Sequence, residues 1–327
     1  MKRLNIAQAL NEAMDEEMER DPTVFAFGEN VADWGQGGIY GVNMNLVDKY
    51  GADRFRDTPI SEEAIVGLAV GAAVGATRPV AEIMYVDFIG LAMDALVNQA
   101  AKMRYMFGGK ATVPMVIRTQ EGAGRGTAAQ HSQSLEAWFV HIPGLKVCAP
   151  STAADAKGLL KSAIRDDNPV MFLEHKQIYY VRSEVPEDED YTIPLGLADV
   201  KREGSDATIV TYHALLGKAL EAAEELSKEG IEVEVVDPRT LFPLDIDTII
   251  ESVEKTGRVL VAHEGYERCG VGAEIATQIM EQAFDYLDAP VKRVCAKNVP
   301  VPYNAGLELA AIPQKEDLIK AVRELVA

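Results

Sequence analysis

Compact apolar runs alternate along this chain with longer stretches whose apolar positions recur at helical spacing. The compact runs read as strands and the longer stretches as helices. The pattern predicts a helix over 6–20 and a strand over 24–27. A glycine-rich loop over 30–50 then leads into a short helix. A strand ends near Asp57 and turns into a helix at Glu62. Beyond it lie a strand near 80–84, a helix near 91–107, and strands at 114–118, 146–149 and 170–174, with a helix over 152–165 between the last two. An acidic, proline-bearing stretch over 183–197 reads as a linker. The alternation then restarts with strands at 207–211, 232–236, 259–262 and 291–296 and helices at 216–228, after Pro243, at 273–286 and at 316–326. Apolar strands separated by helices imply α/β architecture, with parallel sheets covered on both faces. The expected division is a first domain over 1–185, a linker over 186–198 and a second domain over 199–327.

Length agrees with that division, since 327 residues suit about two domains. The net charge of −19 argues against a nucleic-acid partner, which would need a basic surface. Cys148, Cys269 and Cys295 are too widely spaced for a zinc motif or a disulfide framework. The N-terminal stretch is amphipathic and acidic, unlike a signal or transit peptide. The most apolar candidate span, 64–77, is short of the ~20 residues a bilayer requires and rich in glycine. No membrane role is expected, and the expected location is cytoplasmic.

Candidate chemistry begins at Glu62 to Gly71, EEAIVGLAVG. Ser61 is placed to cap a helix through its hydroxyl. Glu62 falls in the first turn, where the helix dipole favours negative charge. Alone, such a residue is a helix-end charge. Gly67, Gly71 and Gly75, however, recur every four residues and so share a face. Each glycine costs about 1 kcal/mol against alanine in a helix, so close approach of another helix is the simplest gain.

A second segment runs from Glu121 through Gly122, Gly124 and Gly126 to Ala129-Gln130-His131-Ser132-Gln133-Ser134. Glycine-rich loops after strands often carry function. His131 is therefore a candidate proton donor or substrate-orienting group, against the plainer reading of a surface histidine. His141 and His175 sit at strand boundaries, where a structural role fits better. Met84-Tyr85-Val86-Asp87-Phe88 follows a strand. It reads as core, or as side chains that sandwich a flat ring.

The spacing Glu-x4-Gly-apolar-x-x-Gly from Glu62 resembles the pyrimidine-binding half of thiamine-diphosphate enzymes. With GEN at 28–30, DTPISE at 57–62, RPVAEIM at 78–84, NQAAKMRYMFGGK at 98–110, AQHSQS at 129–134, PGLKV at 143–147, DAKGLL at 155–160 and AIRDDNPVMFLEHK at 163–176, nearly the whole chain is similar to one family. That family is the β subunit of the thiamine-dependent decarboxylating component of 2-oxo acid dehydrogenase complexes. The resemblance implies two doubly wound domains, a pyrimidine-binding fold and a transketolase C-terminal-like fold. It implies that Glu62 hydrogen-bonds the pyrimidine ring nitrogen and promotes its imino tautomer. Ile60, Met84 and Phe88 match positions that pack on that ring. His131 matches a histidine that assists reductive acyl transfer to a lipoyl group. Met115, Ala163, Asp166 and Asn168 match a structural potassium site in some relatives, although Asp166 and Asn168 also read as turn chemistry before Pro169.

The family binds magnesium and diphosphate through a Gly-Asp-Gly segment with a paired Asn, and this chain has neither Gly-Asp-Gly nor Asn-Asn. The implied partner is an α subunit that grips the diphosphate, in an α2β2 heterotetramer docked to a lipoyl-bearing acyltransferase core. The implied reaction is oxidative decarboxylation or cleavage of a small substrate with acylation of lipoyl groups. FGGKA at 107–111 and AAQHSQS at 128–134 lean toward pyruvate or acetoin. The position before His131, a histidine in many branched-chain relatives, is Gln130 here. A branched-chain subunit, a non-catalytic assembly subunit and a self-sufficient transketolase-like enzyme are the alternatives.

Overall fold

Strand β1 (Lys2–Asn5) runs into helix α1 (Ile6–Arg20), as it does in a computed structural model that describes residues 1–32 and 37–327. Residues 33–36, inside the loop expected over 30–50, lie outside the described residues. Asn5 and Gln8 form a reciprocal capping box that fixes where α1 begins. The chain divides into two compact units. One is Met1–Glu121 with Trp138–Leu195, and the other is Gly122–Ala137 with Gly196–Ala327. Residues 122–137, expected inside a first domain over 1–185, thus group with the second unit.

In the first unit the elements are β2 (Val24–Gly28), α2 (Leu46–Tyr50), β3 (Phe55–Asp57), α3 (Glu62–Val74), β4 (Arg78–Ile83), α4 (Ala101–Met106), β5 (Val116–Glu121), α5 (Glu136–Val140, which crosses into this unit), β6 (Lys146–Cys148), α6 (Ala153–Arg165), β7 (Val170–His175) and β8 (Arg182–Val185). Strands run parallel in the order β6-β7-β5-β4-β2-β3. Leu10 and Met14 of α1 share a core with Leu159 and Leu160 of α6 and Phe172 of β7. Lys157 and Lys161 of α6 are fully buried, and both reach Glu16 of α1, so their stems pack while their charges are paired.

Two expectations are corrected here. Part of the expected linker is strand β8, which pairs antiparallel with β1. The helix expected over 91–107 is a composite. It comprises a 3₁₀ segment at Val86–Ala92, a π-helical segment at Asp94–Ala100, and then α4.

In the second unit the elements are β9 (Asp199–Arg202), β10 (Ala207–Val210), α7 (Ala214–Ser227), β11 (Val233–Asp237), β12 (Thr240–Phe242), α8 (Ile246–Thr256), β13 (Val259–Tyr266), α9 (Val271–Ala283), β14 (Lys292–Ala296), α10 (Ala305–Ala311) and α11 (Lys315–Val326). The sheet order is β14-β13-β10-β11-β9, parallel except for the edge strand β9. Its core joins Ala219 and Leu226 of α7 to Val233, Leu260, Leu318 and Val322. β9, β12 and α10 were not expected. They are short, and a few residues carry too little periodicity to read.

Candidate active site

Glu62 is the first residue of α3, and the residues before it explain why. Strands β2 and β3 end side by side, with Gly28 paired to Asp57, and the Thr58 amide donates to the Gly28 carbonyl at 2.9 Å. The Asp57 carboxylate accepts from the Ala32 amide at 2.7 Å. Gly28 has φ +148°, and a Cβ there would lie 2.2 Å from the Glu82 carbonyl oxygen, so only glycine lets β2 and β4 close at this point. These contacts bring the ends of β2 and β3 together and deliver Glu29 and Glu62 to one edge. Ser61 is the N-cap, but its side chain makes no capping hydrogen bond, contrary to the expectation.

Glu62 is 7% exposed, while Ile60 two residues earlier is 79% exposed. Met84 and Phe88 are half-buried after β4. The arrangement is a buried acid two residues after an isoleucine that the chain itself leaves uncovered. Sequence reasoning missed Glu29, which is also 7% exposed. Burial pushes its carboxyl up to about 7, and the neighbouring Glu62 charge adds to the effect. Glu29 Oε1 is buried with no hydrogen-bond partner among the described residues. The quoted GEN contained the signal, but nothing in a lone glutamate after a strand announces that it will face a second acid.

Behind these acids lies a buried charge network across three strands. Arg118 of β5 is 1% exposed and donates to Glu174 of β7 at 2.6 and 2.9 Å and to Glu82 of β4 at 3.0 Å. Gln120 completes it by donating to the other Glu82 oxygen at 2.7 Å, and Tyr179 donates to Glu174. Bidentate pairing of this kind is what makes a buried charge tolerable.

His131 belongs to the second unit and is half-buried. Its backbone is locally fixed. The His131 amide meets the Ala128 carbonyl at 3.4 Å, and the Thr127 hydroxyl donates to the His131 carbonyl at 2.9 Å. An open cleft of about 340 Å³ lies along this loop, lined by Ala129, Gln133, Tyr266, Arg268, Asn298 and Val299. His175, read as structural, is buried at the end of β7.

The residues matched to a potassium site gather near the C-terminus of α6. The Met115 carbonyl accepts from the Val170 amide, and the Ala163 carbonyl accepts from the Asp166 amide. The Asp166 carbonyl accepts from Arg78. Burial alone would raise the Asp166 carboxyl, but hydrogen bonds from Lys146 and Asn168 outweigh it and hold it below the usual range. Among the described residues no group of three or more His, Cys, Asp or Glu could hold a metal ion.

Gly67 and Gly71 lie exposed on α3, and a Cβ added at either meets nothing within 4 Å. Gly75 departs from the expectation. It is the C-cap of α3, and a Cβ there would meet the Ala72 and Gly71 carbonyls at 3.3 Å.

Fold and site thus define a pyrimidine-binding domain of transketolase type followed by a transketolase-type C-terminal domain. The family descriptions agree. "Transketolase, pyrimidine binding domain" matches residues 2–181, and "Transketolase, C-terminal domain" matches 196–318. The acetoin:2,6-dichlorophenolindophenol oxidoreductase subunit beta of Cupriavidus necator is 51% identical, covering 99% of this chain and 97% of the relative. The pyruvate dehydrogenase E1 component subunit beta of Rhizobium meliloti is 48% identical, covering 99% and 70%. A solved structure described as a split-gene transketolase, inactive beta4 tetramer, superposes with a TM-score of 0.79 at 25% identity, covering 99% and 98%. The chain belongs to the family of pyruvate and acetoin dehydrogenase β subunits.

Proposed function

We propose that this chain is the β half of a thiamine-diphosphate-dependent dehydrogenase that acts on pyruvate or acetoin together with an α subunit. The observation that carries the reading is Glu62, an acid buried at a helix start beside uncovered Ile60. These residues fit the pyrimidine half of the cofactor. An acid at that edge can hydrogen-bond a ring nitrogen, and Ile60, Met84 and Phe88 offer apolar faces to a flat ring. They do not fit the magnesium-diphosphate half, for which the chain lacks the Gly-Asp-Gly segment. Bound thiamine diphosphate supplies the carbanion chemistry, while the protein holds and orients it. Glu62 holds a proton at the pyrimidine nitrogen. His131 serves the later transfer of the acyl group to a lipoyl arm.

The α subunit supplies the diphosphate grip, and α2β2 is the assembly that the exposed Gly67–Gly71 face supports. A lipoyl-bearing acyltransferase core is the acceptor, and the cytoplasm is the location. Among the described residues no helix is long and apolar enough to cross a membrane. A potassium ion at the end of α6 would be held by Met115, Ala163, Asp166 and Asn168 through backbone carbonyls, of which those of Met115, Ala163 and Asp166 also accept hydrogen bonds within the chain.

The test is Glu62→Gln in the chain reconstituted with its α partner. Substrate-dependent dye reduction should fall by about 10²–10⁴. Activity near wild type would leave only an assembly role for this chain. Pyruvate, acetoin and branched-chain 2-oxo acids assayed side by side assign the substrate.

A further inference from the structure

Residues 122–137, which carry His131, are held at their start by two carboxylates from distant parts of the second unit. Glu264 of β13 accepts from the Ala123 amide at 2.5 Å. Glu308 of α10 accepts from the Gly124 amide at 2.7 Å and from the Gly126 amide at 3.0 Å. Glu308 is 2% exposed, and Asn304 caps the helix that presents it. Gly124 and Gly126 have φ of +90° and +67°, which aims alternate amides toward one point. Successive amides turned this way form an anion-binding concavity. Here the anion is the protein's own side chain. Ala123 is anchored as well, in a small apolar cluster with Ala296, Val301 and Ile312.

At the far end of the segment, Tyr212 donates to Glu136 at 2.7 Å, and the buried ring of His263 lies 3.7 Å from the same carboxylate. Burial pushes His263 down to about 4, so the ring is neutral at physiological pH, and its Nε2 accepts from the Gly272 amide at 3.1 Å. Between these two fixed ends the Thr127 hydroxyl bonds the His131 carbonyl and the Ser132 hydroxyl, both at 2.9 Å, which joins the backbone at His131 to the anchored start of the loop.

We propose that Glu308 is a positioning residue for His131. As the buried anion of the Gly124–Gly126 amides, it fixes the loop so that the imidazole is delivered ready for acyl transfer. The proposal rests on the reading of His131 given above. Glu308 touches no substrate in this account and acts only through the loop. Its loss should therefore damage the transfer to the lipoyl group and spare the steps before it.

The test uses the chain reconstituted with its α partner and carrying Glu308→Gln, His131→Ala or both. Two rates are measured, lipoyl-domain acylation and substrate-dependent reduction of an artificial dye. The carboxamide nitrogen turns a donor toward the glycine amides, so Glu308→Gln should cut acylation about 10- to 100-fold. Dye reduction and the substrate KM should stay within about threefold. In the His131→Ala background the same change should add nothing further, as expected for residues acting as one unit. Hydrogen exchange of peptides spanning Gly124 and Gly126 should quicken.

Unchanged acylation, or an undiminished loss in the His131→Ala background, overturns the proposal. Unchanged exchange overturns the tether itself. If His131→Ala alone leaves acylation intact, the role of His131 falls, and the positioning role of Glu308 falls with it. Should Glu308→Gln not accumulate as folded protein, Gly126→Ala perturbs the same contact from the loop side. Nothing lies within 4 Å of the added methyl, while φ of +67° disfavours it, and the same outcomes apply.

Discussion

Replacing Glu29 with Gln should stabilise the chain at pH 8 and only about a quarter as much at pH 5. The carboxyl is raised from 4.5 to about 7 by burial and by the facing Glu62 charge. Between those values the folded state keeps a proton that the unfolded state releases, so stability falls as pH rises through the window. Below 4.5 the group is neutral in both states and costs nothing by this route. Above 7 the full penalty applies. At 1.36 kcal/mol per pH unit the ceiling is about 3 kcal/mol. Part of the field between the two acids runs through solvent, so about 1–2 kcal/mol is the expected relief. Glutamine is neutral throughout and keeps an oxygen for the Met84 amide that Glu29 accepts from. Urea denaturation of wild type and variant at pH 5 and pH 8 measures the difference. Thermal melting should show the same pH 8 gain as about 2–4 °C per kcal/mol. A stability difference that does not change with pH, or a variant weaker at pH 8, would refute the reasoning.

Arg118→Met should destabilise the chain by about 3–5 kcal/mol in urea denaturation, because Glu82 and Glu174 would be left as buried charges without their cation. Gly71→Ala should raise the stability of the isolated chain by up to about 1 kcal/mol, since its Cβ meets nothing in this chain. Gly71→Leu should abolish co-purification with the α subunit, and retained assembly would remove the glycine face as a contact. Melting temperature compared in potassium and sodium chloride tests the carbonyl cluster at Met115, Ala163, Asp166 and Asn168. A rise specific to potassium supports an ion there, and equal melting removes it.

Much of this architecture could be read from periodicity because long elements carry many repeats of their pattern. Helix α1 forms with the bounds that its apolar spacing gave, and the strands 24–27, 146–149 and 170–174 appear within a residue or two. What escaped the sequence was non-local. Strand β8 looks like an acidic linker because its partner β1 lies far away in sequence, at the N-terminus. The helical stretch 86–106 switches hydrogen-bond spacing twice, and composition does not record that. The place of Glu62 at the start of α3 was legible because glycines at a fixed interval mark that helix. Glu29 and Glu308 were not, since a single glutamate shows its chemistry only when folding supplies what it faces.

On the function proposed above, the positions of the acids account for one chain holding only part of a site. An acid surrounded by its own chain would be neutralised there, as Glu174 is by Arg118. Glu62 instead stands at an edge where Ile60 and the glycine face of α3 are open. An exposed isoleucine and two exposed helical glycines both work against a monomer, the first by wetting apolar surface and the second by loosening a helix. Within this chain a Cβ at Gly67 or Gly71 meets nothing within 4 Å and Ile60 is 79% exposed, so the proposed cofactor and α subunit have open surface to cover. A flat ring on Ile60 and a close helix on Gly67 and Gly71 would each relieve one of the two, and a β subunit meeting its cofactor and its α partner at that edge acquires both.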